Sequence, residues 1–250
     1  VFGRYDYSLA IDDGTLKLGV QHRDGLFIYY RELAGEQRRE RVLGPGPDDA
    51  EFVIHPVEPV SVPQQLSLFL EIAFDPITIG PSSRKTIFLT FPIEIGVFLK
   101  SGSVTEVLDT FSCLPSKFSL YGTPKTGVIT KWFYSKVYAD APSVDKRKEG
   151  ILRLEIENTM REFATVSRAV FEGHGMVIFF DWEQVAMNAQ MTIQSSLVAE
   201  TSFSDASYRE GMEKSIELLE AKKIPMVGGH KIVHLSGVEV NAFLMEAGYS

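Results

Sequence analysis

The chain carries a single cysteine, Cys113, among 250 residues. That count excludes an internal disulfide framework and a cysteine-based zinc site, and it suits a reducing compartment. Cations are in the minority too, with 25 Lys and Arg against 33 Asp and Glu and a net charge of −8. Non-specific binding to nucleic acid or to an anionic membrane draws on a basic surface, so neither is expected as a partner. The densest basic run, Arg38, Arg39 and Arg41, is diluted by Glu36 and Glu40. No charged-then-apolar leader opens the chain, and no uncharged apolar run reaches the roughly 18 residues of a membrane helix, so a soluble, cytoplasmic protein is expected. Equally missing are G-x-S-x-G, H-E-x-x-H, a P-loop and a dinucleotide glycine fingerprint. No cofactor is called for.

What the sequence has in quantity is strand pattern. In Thr86 to Lys100, the residues Ile87, Leu89, Phe91, Ile93, Ile95, Val97 and Leu99 alternate with Phe88, Thr90, Pro92, Glu94, Gly96, Phe98 and Lys100. Period-two alternation commits the first set to a core. Pro92 and Gly96 predict a bend or a sheet edge around Glu94. Upstream, Asp12-Asp13-Gly14 and Asp24-Gly25 are turn chemistry between short strands, the start of a β-meander. Leu66 to Phe74, Val128 to Tyr138, Ile151 to Glu157, Phe163 to Phe171, Met176 to Asp181 and Val185 to Leu197 read as further strands. In the last of these, Asn188, Gln190, Thr192, Gln194 and Ser196 form a face that must meet solvent or a polar ligand.

Helical spacing enters only late. Tyr208, Met212, Ile216 and Leu219 recur at that period, and Ser207 with Glu210 offers a capping box, so a helix is predicted over about Ser207–Lys223. Lys231 to Leu235 reads as a last strand, and Ser236 with Glu239 could cap a short helix ending at Gly248. A dozen or more strands before one helix predict an all-β protein. Its expected form is an antiparallel β-sandwich or flattened barrel over residues 1–203, with a C-terminal α-helix and tail over 204–250. Two stacked β subdomains, dividing near 102 or in 140–150, are the alternative.

The segments PVEPVSVP at Pro56–Pro63, SSRKTIFLTFPIEIGVFL at Ser82–Leu99 and KFSLYGTPKTGVITKWFYS at Lys117–Ser135 resemble the archaeal proteins grouped as domain of unknown function 432, most closely over the first half of the chain. The resemblance implies an archaeal source and an intracellular setting. It implies no activity and supplies no catalytic residues.

Glu94 is the sharpest single residue, a carboxylate on a strongly apolar strand. A pairing lysine or arginine, or an exposed bend, is the ordinary account of it, and a pKa raised by burial at a binding site is the functional one. Asp109, Lys117, Tyr121 and Lys131 follow in a Pro- and Gly-rich framework, and with Glu94 they make a candidate ligand pocket with acid/base groups and an anion clamp. His230 and His234 lie four apart; along a strand that is about 13 Å, too far for one metal ion. His174, between two glycines, reads as a turn residue, and Cys113 as a buried thiol. The helix stripe of Tyr208, Met212, Ile216 and Leu219 is the candidate surface for a protein partner or a second copy. The expectation is a non-catalytic binding or scaffold protein. The alternative is a hydrolase- or lyase-like enzyme whose acid/base residues come from separate strands.

Overall fold

A computed structural model describes residues 1–44, 50–61, 66–196, 198–221, 242–244 and 248–249. It is all-β, about 59% strand, in several mostly antiparallel sheets, none closed into a barrel. In the first sheet, Gly3–Tyr5, Glu51–Val57, Glu94–Ser101 and Val104–Phe111 lie side by side; in the second, Ala10–Asp12, Leu16–Arg23, Leu26–Leu33 and Arg39–Leu43. The third runs Ala164–Glu172, Phe69–Ile79, Val128–Ser135, Lys117–Tyr121 and Gly248–Tyr249. The fourth is built on Val185–Ile193, Glu149–Asn158 and Ser83–Pro92, with Phe179–Phe180 and Val198–Ser204 also pairing to Val185–Ile193.

The sheets face one another in two pairs. Leu16, Leu18 and Tyr29 of the second meet Phe52, Ile54, Ile95 and Val97 of the first in one core. Leu70, Ile72, Phe74 and Phe171 of the third meet Leu89, Phe91, Leu154, Met187 and Met191 of the fourth in the other. The stretch Thr86–Lys100 is therefore two strands rather than one. Ile93, after Pro92, is the joint where the chain leaves the fourth sheet and enters the first. The predicted apolar face is buried from Ile87 to Val97, with Leu99 half-buried, but Ile87 to Ile93 fill the second core, whereas Ile95 and Val97 fill the first with Leu99 against it. Strands of the two pairs alternate along the chain, so no single cut separates them.

The second core is made by two arches. Phe69–Ile79 and Ser83–Pro92 follow each other but lie in opposite sheets, as do Glu149–Asn158 and Ala164–Glu172. Their bends are tied together by Asn158, which is fully buried. Its Nδ2 donates to the carbonyls of Ile79, Gly80 and Glu162 at 3.2, 2.9 and 2.8 Å, and its Oδ1 accepts from Met160 N–H at 3.0 Å. Neighbouring strands run parallel in two places, Phe69–Ile79 with Val128–Ser135 and Glu149–Asn158 with Val185–Ile193.

The turns follow the sequence. Asp24 and Gly25 both have positive φ, 54° and 76°, as a tight hairpin requires. The predicted C-terminal helix is not seen. Ser207–Glu217 holds turns and the two-residue strand Glu213–Lys214, and Leu218–Ala221 is one helical turn. Gly211, at φ 87°, breaks the helical path. The strand expected over Val185 to Leu197 ends at Ile193, and a separate strand, Val198–Ser204, follows it. The strand expected at Lys231–Leu235, the cap at Ser236 and Glu239, and the pair His230 and His234 lie outside the described residues.

Candidate functional site

Of the five candidate residues, the structure brings together two. Lys131 Nζ donates to Glu94 Oε1 at 2.8 Å, and Ser61 N–H donates to Glu94 Oε2 at 3.1 Å. Glu94 is fully buried, and the Lys131 side chain is 4% exposed. Glu94 belongs to the first sheet and Lys131 to the third, so the ion pair ties one sheet pair to the other. Both side chains are buried and each Glu94 oxygen accepts a hydrogen bond, so among the described residues the pair acts as a structural tie.

The other three lie apart. Asp109 sits between the first two sheets, accepting from Arg31 Nε at 2.7 Å and from the Tyr29 hydroxyl at 3.1 Å. Arg31 is itself buried, stacks over Phe111 at 4.5 Å and reaches Glu36 at 2.8 Å. Lys117 is exposed, with Nζ 5.7 Å from the Trp132 ring centroid. Tyr121 packs with Val170, Phe69 and Val128 on the outer face of the third sheet. Burial raises its phenol pKa, against the pull of Arg168. On that face Glu71 accepts from Ser119 Oγ at 2.6 Å, Thr130 Oγ1 at 2.8 Å and Arg168 Nη1 at 3.3 Å. The register pairs Lys131 with Leu70 and Trp132 with Glu71, so the Glu71 and Glu94 clusters lie on opposite sides of one sheet. Sequence reading missed Glu71, whose partners come from three different strands.

The basic run is spent locally: Arg38 reaches Glu32 and Glu40, and Arg41 reaches Glu106 and the carbonyl of Val107. Cys113 is half-buried and burial raises its thiol pKa, the opposite of an activated nucleophile. Among the described residues no cluster of His, Cys, Asp and Glu could hold a metal ion. None of the described helices is long and apolar enough to cross a membrane.

Three residues of the expected partner stripe, Tyr208, Ile216 and Leu219, lie in different places. Leu219 is in the second core, Ile216 packs on Val53, Val57, Phe98 and Leu218 outside the first sheet, and Tyr208 stands over the fourth. Ser215–Leu219 forms a strap held by side chains. Ile216 N–H donates to His55 Nδ1 at 3.1 Å, Leu218 N–H to Glu58 Oε2 at 2.9 Å, and Ser215 Oγ to the Pro56 carbonyl. His55 and Glu58 are each 3% exposed. Burial lowers the imidazole to about 4, helped by Arg4 and Lys100, and raises the carboxyl to about 7, with Glu217 adding to it.

An accessible concavity lies elsewhere, on the outer face of the fourth sheet. It is an open groove of about 550 Å³, a volume in the usual range for small-ligand sites, and is lined by Phe88, Ala141, Arg153, Gln184, Tyr208 and Arg209. Its floor is set by register: Phe88, Arg153 and Asn188 stand side by side on three adjacent strands. One wall is an Asx turn. Asp181 Oδ1 accepts from Glu183 and Gln184 N–H at 2.7 and 3.0 Å, which places Gln184. Asp181 Oδ2 accepts from Arg209 Nε and Nη2 at 2.9 and 2.6 Å, and Glu183 takes a further bond from Nη2. The opposite side is Tyr208, whose ring meets Phe88 edge-on, centroids 6.4 Å apart at 88°. Asn188 Nδ2 donates to the Ala206 carbonyl at 3.0 Å, holding this loop over the sheet.

Arg209 is thus neutralised, whereas Arg153 is exposed and has no ion pair or hydrogen bond among the described residues. Its neighbours two and four positions on, Glu155 and Glu157, are both taken by Arg84. The polar face around Asn188 was legible in the sequence. The groove was not, because Phe88, Arg153 and Tyr208 meet only through strand register and a loop crossing.

These features define a class: an all-β protein of several facing sheets with an open, arginine-floored groove on one of them. The chain belongs to the family described as "Protein of unknown function (DUF432)", which matches residues 1–246. No curated protein and no solved structure matches it.

Proposed function

We propose that this is a non-catalytic β-sandwich binding protein whose ligand is a small anion-bearing molecule held in the groove on the fourth sheet. The observation that carries the reading is Arg153, an open guanidinium on the floor of a concavity of ligand size. A planar fork of donors with no protein acceptor is suited to a carboxylate or phosphate. The titratable groups lining the groove are Arg153, Tyr208 and Arg209, and the carboxylates in its wall, Asp181 and Glu183, are both engaged by Arg209. That favours binding over the hydrolase- or lyase-like alternative. The single cysteine and the family resemblance favour an archaeal, cytoplasmic setting.

Isothermal titration with inorganic phosphate and with acetate tests the reading. We expect weak, saturable binding in the wild type, lost in Arg153→Gln at unchanged thermal midpoint. Equal binding by both proteins would refute it, and turnover of a phosphate or carboxylate ester that depends on Arg153 would move the enzyme alternative ahead.

A further inference from the structure

Resting on that reading, we propose that the ligand is a planar ring bearing one anionic group, with Tyr208 as the residue that selects the ring. Arg153 by itself would accept any small anion. What surrounds it is aromatic: Phe88 beside it in register on the neighbouring strand, and Tyr208 at right angles to Phe88. Two perpendicular rings form a corner. A flat ligand placed there stacks on one face and meets the other edge-on, the two arrangements that aromatic quadrupoles favour. Neither ring is sealed into a core, since Phe88 and Tyr208 are both only part-buried. The corner therefore has apolar surface left to cover, next to an unneutralised cation.

The loop that carries Tyr208 is pinned at both sides, by Asn188 to the Ala206 carbonyl and by Arg209 to Asp181. The ring is thereby held over the groove before any ligand arrives, and binding need not order it. Gln184, placed by the Asp181 turn, adds an amide with both a donor and an acceptor, the complement of a heteroaromatic edge. The balance of the site is thus one cation, two aromatic faces and one amide. A polyanion would find only one open charge, and a sugar would leave the guanidinium without its counter-charge.

Two sources share this chemistry, a nucleoside monophosphate and an aromatic carboxylate, and calorimetry with matched probes separates them. Adenosine monophosphate and indoleacetate carry ring and anion; adenosine and indole carry the ring alone; inorganic phosphate and acetate carry the anion alone. We expect at least one of the first two to bind about tenfold or more tighter than its ring-only and anion-only parts, the gain that one stacked ring brings. Tyr208→Ala should remove that gain and leave phosphate and acetate binding as it was, while Tyr208→Phe keeps the gain. If the ring adds nothing to either anion, the ring proposal is wrong while the anion site stands. If no probe binds, the anion site and the ring proposal fall together. A gain that survives Tyr208→Ala would overturn the role given to Tyr208.

Discussion

Two positively charged residues of this protein sit on strands only a few ångströms from apolar neighbours, and they are treated in opposite ways. Lys131 is buried between sheets and satisfied by Glu94, whose other oxygen is taken by Ser61. Arg153 is exposed and left without a partner among the described residues. The first arrangement removes two charges from water and therefore needs both; losing either leaves the other stranded. The second has given up nothing to solvent and keeps its hydrogen-bonding capacity for something outside the chain. Partnered and enclosed groups such as Glu94 and Lys131 hold this fold together, and the proposed binding role falls to a residue left open.

The largest expected effect tests the enclosed half of that contrast. Lys131→Met should lower the unfolding free energy by roughly 3–5 kcal/mol in urea titrations, because the buried ion pair with Glu94 is broken. Adding Glu94→Gln to it should recover much of the loss. A single-variant loss below about 1 kcal/mol would mean that the pair behaves as a surface pair.

The strap gives the next largest effect, and it is a matter of pH. Folded Glu58, raised to about 7 from 4.5, binds more protons than the unfolded chain between those values, so its contribution to stability falls as pH rises through that window. Folded His55, lowered to about 4 from 6.5, binds fewer, so its contribution rises with pH between about 4 and 6.5. Each is worth up to about 3 kcal/mol. With both present the two slopes oppose, and stability should be nearly flat over the shared window. Glu58→Gln should leave a stability that rises through that range, and His55→Gln one that falls. Parallel pH profiles in the two variants would remove these residues from the account of the strap.

Asn158→Ala should cost about 1–3 kcal/mol, since three carbonyls at the arch bends, that of Ile79 buried, lose their donor. The smallest effect completes the contrast: Arg153→Gln should change stability by no more than about 0.5 kcal/mol while removing anion binding.

How much of this was legible depends on range. The alternation of Ile87 to Leu99 correctly gave a buried face, and Pro92 and Gly96 correctly flagged a break near Glu94. Nothing local says that the residues before the break and those after it feed different cores, because that choice is made by strands more than fifty positions away, such as Glu149–Asn158. Lys131 as the partner of Glu94 was among the options, but Asp109 has the same local look and is claimed by Arg31 from another sheet. The helix failed for an equally physical reason. The spacing of Tyr208, Met212, Ile216 and Leu219 is helical, yet Gly211 weakens the run. The N–H groups of Ile216 and Leu218 also find acceptors on His55 and Glu58 instead of within a helix. Tertiary acceptors outbid a marginal local preference.

The arches also set an order of events during synthesis. Every described strand of the first sheet pair has emerged by Phe111, so that core can close early. Phe69–Ile79 and Ser83–Pro92 emerge before then, but their partners begin only at Lys117 and end beyond Val185. At roughly 5–20 residues per second, the strand Ser83–Pro92 waits on the order of several seconds for Glu149–Asn158 with its edges bare and Ile87, Leu89 and Phe91 uncovered. A nascent chain stalled in that interval presents a long apolar strand with unsatisfied backbone, the kind of surface that aggregates or recruits a chaperone.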